Sequence, residues 1–304
     1  MKKIVCYGNP VFDTIMTPLI RRPERVLSGC STNACLAANY LGEDCTLIGT
    51  VGEDFRTVLE SELRARGIQY TLYPSRETGG FSLNYYDDQG NRTLDILGIA
   101  ENIPANAAVP EDADFVLIGP ILNEIPYELV ANIKEKCKAP ILTDPQGLLR
   151  FAKNKAIVHE NNENFKKVAK ISTIVKANEL ETLTVTGLDG RKEPEKAVKA
   201  LYEQGCQIAV VTLAEVGSVI FDGKRVYKIP PFRVNAIDPT GAGDTYAAGF
   251  MVQYSETPDD LLKVGCFASS VASVMVENSG PTFPLTRREA DRRMNILLNE
   301  AKVI

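Results

Sequence analysis

The run Asp238-Pro239-Thr240-Gly241-Ala242-Gly243-Asp244 leads into a stretch of helical character, Thr245-Tyr246-Ala247-Ala248-Gly249-Phe250-Met251, so its glycines fall where a loop becomes a helix N-terminus. Such a position gathers unpaired backbone N–H groups and the positive end of the helix dipole. Gly241 and Gly243 have no side chain to keep an anion away from those N–H groups, and the loop reads as a phosphate cradle. Asp244 is out of place in a cradle for anions unless it takes up a proton. A carboxylate beside a transferring phosphoryl group can accept the proton of an incoming hydroxyl, while amides and a metal ion stabilise the equatorial oxygens. The competing reading is a glycine-rich loop with Asp244 as a helix cap.

Asp238 to Met251 resembles, without mismatch, the C-terminal signature of the ribokinase-like (PfkB) carbohydrate kinases. The resemblance implies a three-layer α/β/α sandwich with a mostly parallel central sheet and a small β-lid. It implies ATP as cosubstrate and Mg²⁺ as cofactor, with phosphoryl transfer to a hydroxyl of a sugar, polyol or nucleoside. By the same match Asp244 is the catalytic base, Gly241, Ala242 and Gly243 form the anion hole, and Thr240 stands beside the nucleotide. Asn178-Glu179-Leu180-Glu181 is similar to the family's NxxE element, with Asn178 near the nucleotide phosphates and Glu181 holding Mg²⁺ through water. Asn178 and Glu181 also spell a capping box. Thr212 and Gly217 resemble the strand-end segment beside the nucleotide, against a routine turn between strands. The family likeness leaves open a monovalent cation near Asp238 and a homodimer formed through the lid.

Ser28-Gly29-Cys30-Ser31-Thr32-Asn33 stands where the family shows GGxxxN, with Ser28 replacing the first glycine and Ser31 and Cys35 departing from the usual small residues. Asp13, Gly29 and Asn33 thereby resemble acceptor-binding positions, and a carboxylate with an amide suits vicinal hydroxyls. Only fifteen residues separate Asp13 from Gly29, a brevity that resembles reduced-lid branches including inositol kinases. Asp144-Pro145-Gln146-Gly147 followed by Arg150 adds to that likeness. The function expected is an ATP-dependent kinase of a sugar or cyclic polyol. A nucleoside kinase is the alternative within the family, and a non-catalytic nucleotide- or sugar-binding regulator is the alternative from another class.

The elements that must position these residues alternate short β-rich runs with helical periodicity, the pattern of a parallel α/β sheet. Strands are expected at 3–8, 45–50, 114–119, 140–144, 172–176, 208–213, 217–221 and 225–229. Helices are expected at 31–41, 54–66 with Asp54 as cap, 126–137, 162–170, 178–185, 193–204, 242–254, 258–276 and 286–302. The chain after the first strand reads as a loop to about Leu27. Residues 68–73 and 80–97 break the rhythm, and a hairpin turning at Asp88-Gln89-Gly90 is expected there. The economical organisation is one kinase domain over 1–304 with small β-lid elements within 14–27 and 68–97.

Composition excludes several other chemistries. A net charge of −5 and no basic stripe beyond Arg21, Arg22 and Arg25 argue against a nucleic-acid partner. No apolar run suits a membrane span or a signal-peptide core, and seven cysteines without a CxxC pair suit buried hydrophobes in a reducing cytoplasm. GxxxxGK[ST] and GxSxG are absent, and GxGxxG is not completed because Tyr246 takes the third glycine's place. His159 is the only histidine and is expected at the surface, which removes zinc hydrolases and histidine-based triads.

Overall fold

The computed structural model describes residues 1–17, 19, 21–86, 92–153 and 156–304. In chain order it contains β1 (Lys3–Tyr7), β2 (Val11–Met16), β3 (Arg21–Ser28), α1 (Cys30–Tyr40), β4 (Asp44–Gly52), α2 (Glu53–Ala65), β5 (Gln69–Ser75), β6 (Gly80–Tyr85), β7 (Arg92–Gly98) and β8 (Phe115–Ile118). There follow α3 (Tyr127–Lys136), β9 (Ile141–Thr143), β10 (Arg150–Lys153), β11 (Ala156–His159), α4 (Glu163–Ile171), β12 (Ile174–Ala177), α5 (Glu179–Thr186) and α6 (Pro194–Tyr202). The chain closes with β13 (Ile208–Thr212), β14 (Ser218–Phe221), β15 (Val226–Ile229), α7 (Ala242–Glu256), α8 (Leu261–Val276), α9 (Arg287–Leu297) and β16 (Lys302–Val303).

The main sheet runs β16-β15-β14-β13-β12-β9-β8-β1-β4-β5. From β13 to β5 every neighbouring pair is parallel, and β14 to β16 add an antiparallel edge. Strands covered on both faces must be apolar throughout, and β8, β9 and β12 are buried at every position. Alternate residues then serve opposite cores. Ile4, Cys6, Leu117, Leu142 and Ile174 face the layer of α1, α2, α7, α8 and α9, whereas Val5, Tyr7, Ile118, Ile141 and Val175 face α3 to α6. This parity places the side chains of residues 144 and 176 on the α7 side, two steps beyond Leu142 and Ile174.

A second, four-stranded sheet has the order β3-β2-β6-β7. Its inner face packs Val11, Ile15, Phe81, Leu83 and Tyr85 against Cys30 and Ile121. Arg25 ties its base down, donating from Nε to the Phe12 carbonyl at 2.7 Å and lying 4.6 Å over the Phe55 ring.

Several expectations change in the structure. The loop expected up to Leu27 holds β2 and β3, because a Pro-bearing, charged strand is tolerated at a sheet edge. Residues 69–75 form β5 of the main sheet rather than part of the appendage. The β6–β7 hairpin is antiparallel, while its expected turn at 88–90 lies outside the described residues. Asp54 does not cap α2, whose cap is Gly52; its carboxylate instead accepts from Thr78 N at 3.1 Å and Thr78 Oγ1 at 2.6 Å. The last helix stops at Leu297 and the chain returns as β16. His159 is half-buried, opposite Arg150 in the unforeseen β10–β11 ladder. All seven cysteines are free and buried. Among the described residues no helix is long and apolar enough to cross a membrane.

Candidate active site

Parallel α/β sheets gather ligands at the carboxyl ends of their strands. A cleft of about 740 Å³ opens there, lined in part by residues just past β9 (Asp144), β12 (Asn178) and β13 (Ala214), by the four-stranded sheet, and by the N-terminus of α7.

Gly241 caps α7 with φ 81°, a left-handed conformation that any side chain would strain, and its backbone lies against Asn33. Among the described residues no acceptor takes the amides of Gly241, Gly243 or Asp244, whereas Ala242 N turns back to the Pro239 carbonyl at 3.2 Å. Among the described residues the amides left open at this turn are those of Gly241, Gly243 and Asp244, while the Ala242 amide closes it. Thr240 is buried: its N donates to Asp238 Oδ1 at 2.9 Å, and its hydroxyl donates to Tyr85 on β6 at 2.9 Å. Asp238 is engaged at both oxygens, the second accepting from Ser279 at 2.7 Å.

Asp244 sits in the first turn of α7, half-buried at the cleft, and its Oδ2 accepts from Asn33 Nδ2 at 2.9 Å. Burial, then the nearby Asp144 charge, push its carboxyl above the usual range, against the Asn33 bond and the Lys176 ammonium. Asp13, on β2, is buried in the cleft wall and accepts from Phe81 N at 2.7 Å, while Gly29 caps α1 and starts its first turn by accepting from Asn33 N at 2.8 Å. The Ser31 departure has a structural reason. Its hydroxyl reaches the Tyr7 carbonyl at 2.5 Å and the Gly119 carbonyl at 3.0 Å, stitching α1 to the ends of β1 and β8.

Asn178 and Glu181 form the full capping box of α5: Asn178 Oδ1 accepts from Glu181 N at 2.9 Å, and Glu181 Oε2 accepts from Asn178 N at 2.8 Å. Both also line the cleft, so capping and ligand reach coexist. Glu181 is buried, and burial with the Asp144 charge carries its pKa up to about 7. Its oxygens could hold a hydrated divalent cation, since each retains a lone pair beyond the Asn178 bonds. Thr212 and Gly217 border the same cleft; a Cβ on Gly217 would meet the Ile229 carbonyl at 2.1 Å.

Among the cleft residues given no role from sequence are Asp144, Gln146, Arg150 and Lys176. Lys176 pairs with Asp144 at 2.7 Å, and Arg150 Nη2 donates to Gln146 Oε1 at 2.9 Å. The available signals were a lysine inside an apolar strand end and the Asp144–Arg150 run after β9. Cys30 Sγ, Asp144 and Asp244 bring ligand atoms within 4.8 Å of one another. Burial holds the Cys30 thiol well above its ordinary range and Asp144 already faces an ammonium, so the trio is ill-suited to a cation.

This architecture is the ribokinase-like α/β fold, and the chain is a phosphotransferase with a hydroxyl acceptor. The family described as pfkB family carbohydrate kinase matches residues 1–288, and the chain belongs to it. It is 28% identical to the cytidine kinase of Thermococcus kodakarensis over 267 residues, covering 84% of this chain and 89% of that protein. Against the ribokinase of Bacillus subtilis it is 26% identical, over 97% of this chain and all of the other. A solved pyrophosphate-dependent myo-inositol-1 kinase, converted into a myo-inositol-3 kinase, superposes with TM-score 0.81 at 23% identity, covering 97% of this chain and 99% of that one.

Proposed function

We propose that the protein transfers the γ-phosphoryl group of ATP to a hydroxyl of a cyclic polyol or sugar, with Asp244 as general base. The observation that carries this reading is a carboxylate fixed by Asn33 at the mouth of an amide cradle, in a cleft that also presents Asp13, Gln146 and Arg150. Acids and amides facing one space can accept from and donate to neighbouring hydroxyls, which suits a ring bearing several of them. The cleft also carries apolar lining from Phe232, Val234, Ala272 and Val276, which suits a purine base and supports ATP over pyrophosphate.

In the proposed mechanism the acceptor hydroxyl donates to the Asp244 carboxylate, which Asn33 holds in place. Asp244 takes its proton as the oxygen attacks, and the Gly241, Gly243 and Asp244 amides neutralise charge on the phosphoryl oxygens. Mg²⁺ held through water at Glu181, when bound, would offset charge on the donor phosphates. Thr240 carries the cradle rather than the nucleotide, since its hydroxyl is committed to Tyr85. Thr212 and Gly217 flank the donor phosphates.

A nucleoside acceptor is the second reading. It is favoured by the apolar wall of Val11, Phe81, Leu83, Leu94 and Ile121, which would pack against a base. A panel of inositols, hexoses, pentoses and nucleosides, assayed for ADP release with ATP and for phosphate release with pyrophosphate, separates these. Turnover on an inositol or hexose with ATP is expected; turnover on nucleosides alone replaces the acceptor, and turnover with pyrophosphate alone replaces the donor.

A further inference from the structure

We propose that Lys176 is itself a catalytic residue, its ammonium contacting the phosphoryl group as it passes from donor to acceptor; this rests on the kinase reading above. Strand parity turns Lys176 toward α7, and a Cβ built on Gly243 would lie 3.0 Å from its Nζ. The ammonium thus stands at the amide cradle. Asp144, the residue after β9, is its neighbour across the parallel pair, with the Ile174–Leu142 and Val175–Thr143 partners continuing into 176 and 144. Their ion pair is 2.7 Å long, with the side chains 3% and 4% exposed.

A buried ammonium has three N–H donors, and Asp144 is its one ion-pair partner among the described residues. Lys176 lines the same cleft as Asp244 and Glu181, near enough for its charge to act on both carboxylates. Burial alone would discharge the lysine, but Asp144 and then Glu181 keep it protonated. In the transfer, the acceptor oxygen forms a bond to the γ-phosphorus and the bond to the bridging β–γ oxygen breaks, releasing ADP. The hydroxyl proton goes to Asp244, while Lys176 keeps its three protons and faces the equatorial oxygens.

The rival account is a structural ion pair, and a double variant separates them. Lys176→Met alone should lower kcat by about 10²–10³, the scale of one preorganised donor, with KM for ATP changed less than about threefold. It should also lower Tm by leaving Asp144 buried and unpaired. Combining it with Asp144→Asn removes that unpaired charge. We expect the double variant to recover Tm while kcat stays down at least about 10²-fold; recovery of kcat to within about threefold of the parent would overturn the proposal. Independently of variants, wild-type protein crystallised with ADP, Mg²⁺ and aluminium fluoride should place Lys176 Nζ within hydrogen-bond distance of a fluoride, and an ammonium still turned wholly to Asp144 would equally overturn it. Absence of wild-type turnover across the acceptor panel removes the kinase reading instead, so the two failures are distinguishable.

Discussion

Asn33 Nδ2 donates to Asp244 Oδ2 at 2.9 Å, joining the first turn of α1 to the first turn of α7 across 211 residues of sequence. The bond fixes the carboxylate's orientation and favours its ionised form, against the burial that favours protonation. Replacing Asn33 by Ala should therefore move the acid limb of the rate profile to higher pH and lower kcat/KM by about 10–10²-fold. A loss of activity with an unmoved limb would mean that Asn33 only binds acceptor.

The wild-type profile has its own signature. Asp244, the proposed base, must be ionised to work, and burial followed by the Asp144 charge raises it above the ordinary carboxylate. Activity should accordingly fall on acidification through a pKa above the usual value of about 3.9. A limb at or below that value in kcat/KM against pH would contradict the buried setting of this base.

Glu181 links activity to stability. Its folded pKa of about 7 lies above its ordinary 4.5, so its contribution to stability is full below the lower value and lost as pH rises through the higher one. Glu181→Gln removes that loss but also one hydrogen bond of the capping box. In magnesium-free buffer the variant's Tm relative to wild type should climb by several degrees between about pH 5 and pH 8, at about 2–4 °C per kcal/mol. A pH-independent difference would show that Glu181 does not titrate in this range.

The local chemistry of the site was legible in the sequence, whereas its long-range partnerships were not. The Gly241–Asp244 loop declares itself because glycine and helix-start signals are local, and Asn178 with Glu181 spells its cap within one turn. Lys176 was passed over because its meaning depends on Asp144, which reaches it only through sheet pairing. Asp54 misled for the same reason: a carboxylate at a helix start reads as a cap, yet its partner is Thr78, across the sheet edge. The main strands followed from apolar runs buried on both faces, while β3 was hidden by Arg21, Arg22, Pro23, Glu24 and Arg25, a composition an edge strand permits.

Tyr85 ties the four-stranded sheet to the loop before α7 through its bond to Thr240. If that sheet closes over the acceptor, Tyr85→Phe should loosen closure by about 1 kcal/mol, raising acceptor KM roughly fivefold while Tm shifts little. An unchanged KM would separate the bond from acceptor binding.

Asp244→Asn tests the central claim most directly. The amide keeps the shape and can still meet Asn33 through its oxygen, but it cannot take a proton. Titration calorimetry with ATP should give near-wild-type affinity, while phosphoryl transfer to the best acceptor of the panel falls by at least about 10²-fold. Turnover within a fewfold of wild type in that variant would contradict Asp244 as the base.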